Sequence, residues 1–200
     1  MTRVEVYADI VCPFAYIGLK RLQERRDELN RSDVHLHIRS WPLEWVNGQP
    51  VDPHFIGEEI DEIRPQVATD LFQGFDTGAF PASSVPGLAL TIAAYAVSAP
   101  LGEQVAMELR DLLFEQGRDV GDPSVLAELA SKYELTIPDE RVVRSEYEDG
   151  KQRGVVGSPH FFVGGTATFC PALDIKRVED ALVVKVDEAA FDELVTSVFA

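Results

Sequence analysis

The chain has 200 residues, 46% apolar and 26% charged, with a net charge of −16. That is the size of one globular domain, or of one domain with an insertion, and it excludes collagen-like, low-complexity and disulfide-scaffold classes. So acidic a surface repels phosphate backbones and anionic lipid, so neither nucleic acid nor a membrane is an expected partner.

The first expected element is a strand over Arg3–Tyr7, with Val4 and Val6 turned inward. A loop, Ala8–Pro13, leads into a helix from about Phe14 to Asn30. Pro13 suits its first turn, where a missing N–H costs nothing. Val34, Leu36 and Ile38 alternate with His35, His37 and Arg39, which reads as a second strand. This β-α-β start is long enough for a parallel pair with a crossover helix. Pro42, Pro50 and Pro53 mark a loop. From Pro53 to Gln152 the pattern is helical, broken once over Gly74–Pro86. Ala89–Val97 is apolar nearly all round and reads as a buried helix, and Gly102–Glu115 is amphipathic. Asp122-Pro123 and Ile137-Pro138-Asp139 each open a further helix. Strand signals then return. Phe161–Val163 and Thr166–Phe169 flank Gly164-Gly165, a two-residue hairpin turn. Leu173–Leu182 reads as a helix, Val183–Val186 as a short extended piece, and Ala189–Phe199 as a terminal helix. The expected fold class is therefore α/β: a thioredoxin-like βαβ…ββα domain from residues 1–52 and 153–200, with an all-helical insertion over 53–152.

Two cysteines, Cys12 and Cys170, are too few for a stapled secreted domain. Met1 to Val6 contains no apolar signal core. The longest apolar region, Leu88–Leu101, is interrupted by Thr91, Ser98 and Pro100 and is too short to span a bilayer. The expectation is a cytoplasmic protein with both thiols reduced.

Cys12-Pro13-Phe14-Ala15 stands between the first strand and the first helix. The N–H groups of a helix start are unpaired and carry partial positive charge, which stabilises a thiolate. The expectation is a Cys12 pKa below the usual value of about 8.5. The same position is compatible with a buried, inert cysteine. Gly154-Val155-Val156-Gly157-Ser158-Pro159 precedes the hairpin. Proline is permitted at the first residue of a strand, and the Ser158–Pro159 bond is open to either isomer.

Asp9-Ile10-Val11-Cys12-Pro13-Phe14-Ala15-Tyr16-Ile17-Gly18-Leu19-Lys20-Arg21-Leu22 resembles the active-site segment of DsbA-like thioredoxin-fold oxidoreductases, the FrnE-like subgroup in particular. Gly154 to Gly165 resembles that family's cis-proline loop and hairpin, and Leu126–Ala130 resembles the helix before that loop. The resemblance spans nearly the whole chain. It implies Cys12 as nucleophile, with Pro13, Phe14, Ala15, Ser158 and Pro159 as the substrate-binding surround and the Ser158 backbone pairing with an extended thiol substrate. The expectation is no tightly bound cofactor, glutathione or another small thiol as co-substrate, and a thiol or disulfide substrate that is a small molecule or a protein. The sequence leaves the oligomeric state open, a homodimer included.

The family's site is Cys-Pro-x-Cys, and Ala15 stands where the second cysteine belongs. A resolving thiol there releases the mixed disulfide by intramolecular attack. Its loss leaves three readings. One is exchange resolved by a small thiol. Another is a glutathione-dependent transferase or isomerase, like the related kappa-class transferases and 2-hydroxychromene-2-carboxylate isomerases. The third is a redox-inactive binding module using the acidic stretch Glu58, Glu59, Asp61 and Glu62. A two-residue turn at Gly164-Gly165 also sets Cys170 opposite Pro159, on the rim of the site, as a candidate second thiol or an unrelated one.

Lesser candidates are His160 at the pocket edge or simply packed, and Trp41, Pro42 and Trp45 as pocket wall or core. Ser83-Ser84 serves as a helix cap or a glutathione contact. Tyr16 is a candidate donor to the thiolate, and a buried, ionised Asp9 would oppose it. His35 and His37 share a strand face, with His54 the sole further ligand in reach, and read as solvated. No metal site is expected.

Overall fold

The computed structural model describes residues 4–179 and 181–199. Strand β1 (Val4–Ala8) pairs in parallel with β2 (Leu36–Ser40) through the crossover helix α1 (Pro13–Glu28). Arg3, expected to begin the first strand, lies outside the described residues. The other edge of β1 pairs antiparallel with β3 (His160–Val163), which turns back into β4 (Thr166–Phe169). The sheet order is β2-β1-β3-β4. The two ends of the chain thus meet in one sheet, and this brings residue 12 beside residue 158. Gly164 and Gly165 have φ of 55° and 89°, the left-handed values that a two-residue hairpin turn demands.

Between β2 and β3 the chain is helical: α2 (Leu43–Asn47), α3 (Pro53–Val67), a 3-10 turn at Thr77–Ala79, α4 (Val85–Val97), α5 (Ala99–Phe114), α6 (Pro123–Lys132) and α7 (Arg141–Gln152). Three of these starts have the same construction. Asp52, Ser98 and Asp122 each accept an N–H of the first turn, with proline just inside. α4 is buried only as far as Ala94, and Val97 is 66% exposed. At its start Ser83 Oγ accepts from Val85 N–H at 3.2 Å and donates to Glu44 at 2.8 Å, while Ser84 makes no side-chain cap. Leu126–Ala130 lies in α6, so α7 separates it from the Pro159 loop that the resemblance set next to it.

The expected helix over Leu173–Leu182 is absent. Residues Leu173–Val178 form β5 and Ala181–Val186 form β6, a separate antiparallel ribbon. Ile175, Val178, Val183, Val184 and Val186 favour extended backbone, but the deciding partner is remote in sequence. On α3, Gln66 bonds both Leu182 O and Val184 N–H, and Glu62 accepts from Leu182 N–H. Glu62, read from sequence as an interaction surface, is occupied internally. Helix α8 (Glu188–Phe199) then packs on β3 and α1.

The main core takes Val4, Val6 and Ala8 from β1 and includes both cysteines. On the other face of β1, Tyr7 joins Trp41 and Val155 in a smaller cluster under α7. Gly150 of α7 is required there. A Cβ at that position would meet the Tyr7 ring at 2.8 Å and the Trp41 ring at 2.9 Å. Among the described residues no helix is long and apolar enough to cross a membrane.

Candidate active site

The loop between β1 and α1 is buried from Asp9 to Cys12 and is pinned from three directions. Asp9 N–H donates to Ser158 Oγ at 3.0 Å. The Asp9 carboxyl accepts from Leu43 N–H at 2.6 Å and from Val11 N–H at 3.4 Å. Arg110, from α5, donates to the Asp9 carbonyl at 3.0 Å and to Ala106 O at 2.7 Å. Burial raises the Asp9 pKa, opposed by those amides and by the Arg110 charge. Burial also pushes Arg110 down to about 10, although Asp9 and Cys12 pull it back up.

Cys12 is the N-cap of α1, and its Sγ accepts from Ala15 N–H at 3.4 Å. The same sulfur donates to the Ser158 carbonyl at 3.2 Å, so the resting group is a thiol. Cys12 is only 3% exposed. Burial pushes its pKa up to about 11; the Ser158 and Ala15 bonds act against this, and the charges of Asp9 and Glu59 add to it. The expected drop below the ordinary value therefore fails. A single amide reaches the sulfur and Pro13 has no N–H to give, so desolvation outweighs the helix start.

The Ser158–Pro159 peptide is cis. Cys12 opens onto a cleft of about 450 Å³ whose walls are Pro13, Phe14, Ser158, the Leu43–Asn47 helix, the Gln49–Asp52 turn and the first turns of α3 at Phe55, Ile56 and Glu59. Of the expected surround, Pro13, Phe14 and Ser158 face this cleft, whereas Ala15 and Pro159 are buried behind it. The cleft carries two carboxyls, Asp52, which caps α3, and Glu59. Burial and neighbouring Glu62 raise Glu59 to about 7 against the pull of Arg177. Glu59 appeared in sequence only as part of an acidic run, and Arg110 not at all. Both become visible only once α3 and α5 are docked.

Several lesser candidates lie elsewhere. The Tyr16 hydroxyl is 2.7 Å from Asp111 Oδ1 and 2.9 Å from Glu115 Oε1, turned away from the thiol. Trp41 packs on Tyr7 and Tyr147, and Trp45 packs on Tyr147 and Arg144, so the neighbouring Leu43 forms the wall in their place. His160 is buried and stacked on Phe162, its Nδ1 accepting from Val156 N–H. His35 and His37 are half-buried rather than solvated. His37 stacks on Tyr95, and His35 Nδ1 lies 3.7 Å from Glu103. Among the described residues no group of three or more His, Cys, Asp or Glu could hold a metal ion. Cys170 follows β4, is 8% exposed, and donates its N–H to Pro159 O at 2.9 Å. The hairpin register thus continues one pair beyond the strands. Both cysteines are free.

Comparison with known proteins matches residues 3–183 to the DSBA-like thioredoxin domain model. No curated protein matches by sequence. Among solved structures, the cytosolic disulfide reductase DsbM from Pseudomonas aeruginosa superposes with a TM-score of 0.63 at 18% identity, covering 97% of each chain. DsbM is also solved with GSH, and that form superposes with a TM-score of 0.60 at 18% identity, covering 97% of this chain and 98% of DsbM. A 2-hydroxychromene-2-carboxylate isomerase superposes with a TM-score of 0.59 at 12% identity, covering 83% of this chain and 87% of the isomerase.

Proposed function

The chain belongs to the DSBA-like thioredoxin domain family, and from that premise we propose that it is a thiol–disulfide oxidoreductase working through Cys12. The supporting observation is the meeting of three features at one sulfur. Cys12 caps α1, lies 3.2 Å from the carbonyl that precedes cis-Pro159, and opens onto a cleft large enough for a peptide or a small disulfide. In the proposed reaction Cys12 loses its proton, attacks one sulfur of a substrate disulfide and forms a mixed disulfide while the other sulfur leaves as thiolate. The Ser158 carbonyl, released from the thiol proton, becomes free to accept from the substrate backbone. DsbM is a cytosolic disulfide reductase also solved with GSH, which supports glutathione as co-substrate and a cytoplasmic location here.

A second reading rests on Ala15 and on cleft size. About 450 Å³ falls in the range of small-ligand sites, and without a thiol at position 15 the cleft suits a glutathione-dependent isomerase or transferase that holds the glutathione sulfur beside α1. Turnover of a reducible disulfide by the wild type and by Cys12→Ser decides the first reading; equal rates would remove it. Calorimetric titration with glutathione tests the second, which requires saturable binding without consumption of disulfide.

A further inference from the structure

We propose that Cys170 is the resolving thiol of this site and closes a disulfide with Cys12 across the Pro159 turn. This deepens the exchange reading and rests on it. Both cysteines are attached to one dipeptide: the Cys12 thiol to Ser158 O at 3.2 Å, and the Cys170 amide to Pro159 O at 2.9 Å. Both belong to one buried cluster. Cys170 adopts a φ of +43°, a left-handed value uncommon for a residue with a side chain, and the chain then turns over α1. Two residues on, Ala172 Cβ lies 3.7 Å from where a Cβ at Gly18 would stand. Burial pushes the Cys170 pKa up to about 12, and charge on Cys12 adds to that rise. The usual second position is closed to this role, because Ala15 carries no sulfur and is fully buried.

The steps balance as follows. Cys12 thiolate attacks a substrate disulfide, forms a Cys12–substrate bond and expels the first substrate thiolate. Cys170 then loses its proton and attacks Cys12 Sγ. The Cys12–Cys170 bond forms, the mixed disulfide breaks, and the second substrate thiolate leaves. The protein is oxidised by two electrons, the substrate disulfide is reduced by two, and the two protons given up by Cys12 and Cys170 pass through solvent to the two departing thiolates. A low-molecular-weight thiol reverses the protein's oxidation by ordinary exchange. The disulfide requires Cα atoms within about 7 Å, so the proposal demands that residues 12 and 170 approach to that separation.

The test treats the full-length reduced protein with oxidised glutathione, quenches it with acid and digests it without reduction. Mass spectrometry is expected to find a Cys12–Cys170 linked peptide. In Cys170→Ala the Cys12–glutathione adduct accumulates instead, and at low glutathione its release slows by roughly tenfold or more, as expected when an intramolecular attack is removed. Cys170→Ser and circular dichroism control for folding, and if neither variant folds, the wild-type peptide alone decides. An adduct on Cys12 with no linked peptide, or equal release rates in wild type and variant, overturns the inference while leaving the exchange reading intact. No adduct on Cys12 at all overturns both.

Discussion

The buried setting of Cys12 makes a quantitative demand on its reactivity. Its pKa is pushed from 9.0 to about 11. At pH 8 an ordinary thiol of that kind is about one-tenth ionised, and Cys12 about one-thousandth, a deficit of about a hundredfold. A more basic thiolate is intrinsically the better nucleophile, and a Brønsted coefficient of about 0.4–0.5 returns nearly tenfold of that loss. The net expectation is a Cys12 roughly tenfold slower than a free thiol toward a small methanethiosulfonate, before any steric shielding. The assay is acid-quenched modification from pH 6 to 10, with the two cysteine peptides resolved by mass spectrometry. The logarithm of the Cys12 rate should rise by about one decade per pH unit with no plateau, and urea should restore ordinary behaviour. A plateau with a midpoint near pH 7, and a neutral rate at or above that of a free thiol, would refute the claim that desolvation outweighs the helix start.

Glu59→Gln removes a charge that holds the Cys12 pKa up, so it should speed Cys12 modification at pH 8 and change little at pH 6, where the carboxyl is already largely protonated. Because the folded pKa of Glu59 is raised from 4.5 to about 7, its contribution to stability is full below pH 4.5 and is lost as pH rises to about 7. The stability advantage of the Gln variant over wild type should therefore grow across that window in thermal melts. Arg110→Met withdraws the buried cation and leaves Asp9 O and Ala106 O without that donor. It should slow Cys12 further and cost about 1–3 kcal/mol in urea unfolding; an unchanged rate would remove Arg110 from the electrostatics of the site. Gly150→Ala forces a methyl against Tyr7 and Trp41 and should cost about 1–3 kcal/mol by the same measurement, with Cys12 reactivity unchanged.

The parts of the fold that could be read from sequence are those whose signals are local. Alternation gave β1 and β2, the Gly164-Gly165 pair gave the hairpin and its register, and Asp122-Pro123 announced α6. The ribbon of β5 and β6 was misread because Leu173–Leu182 carries no clear period of its own. Its extended form depends on Gln66 and Glu62, more than a hundred residues away. The site follows the same division. The position of Cys12 before a helix was legible, whereas its acidity was not. Acidity is set by the sum of burial, one amide at 3.4 Å, and carboxyls on loops and helices that only tertiary packing brings near.

That raised pKa also bears on the direction of exchange. A thiol of high pKa is a poor leaving group. In a mixed disulfide between Cys12 and a small thiol of ordinary acidity, departure of the small thiol is therefore favoured over departure of Cys12. Attack at Cys12 Sγ releases substrate, whereas attack at the substrate sulfur must expel the reluctant partner. The proposed chemistry thus favours removing disulfides from substrates over installing them, and the slow step becomes the return of Cys12 to its reduced form. During steady turnover of a small disulfide in excess glutathione, acid-quenched samples should then contain Cys12 mostly oxidised, as adduct or as the Cys170 link. Cys12 found mostly reduced under those conditions would place the slow step before the first attack, and leaving-group acidity would not govern this site.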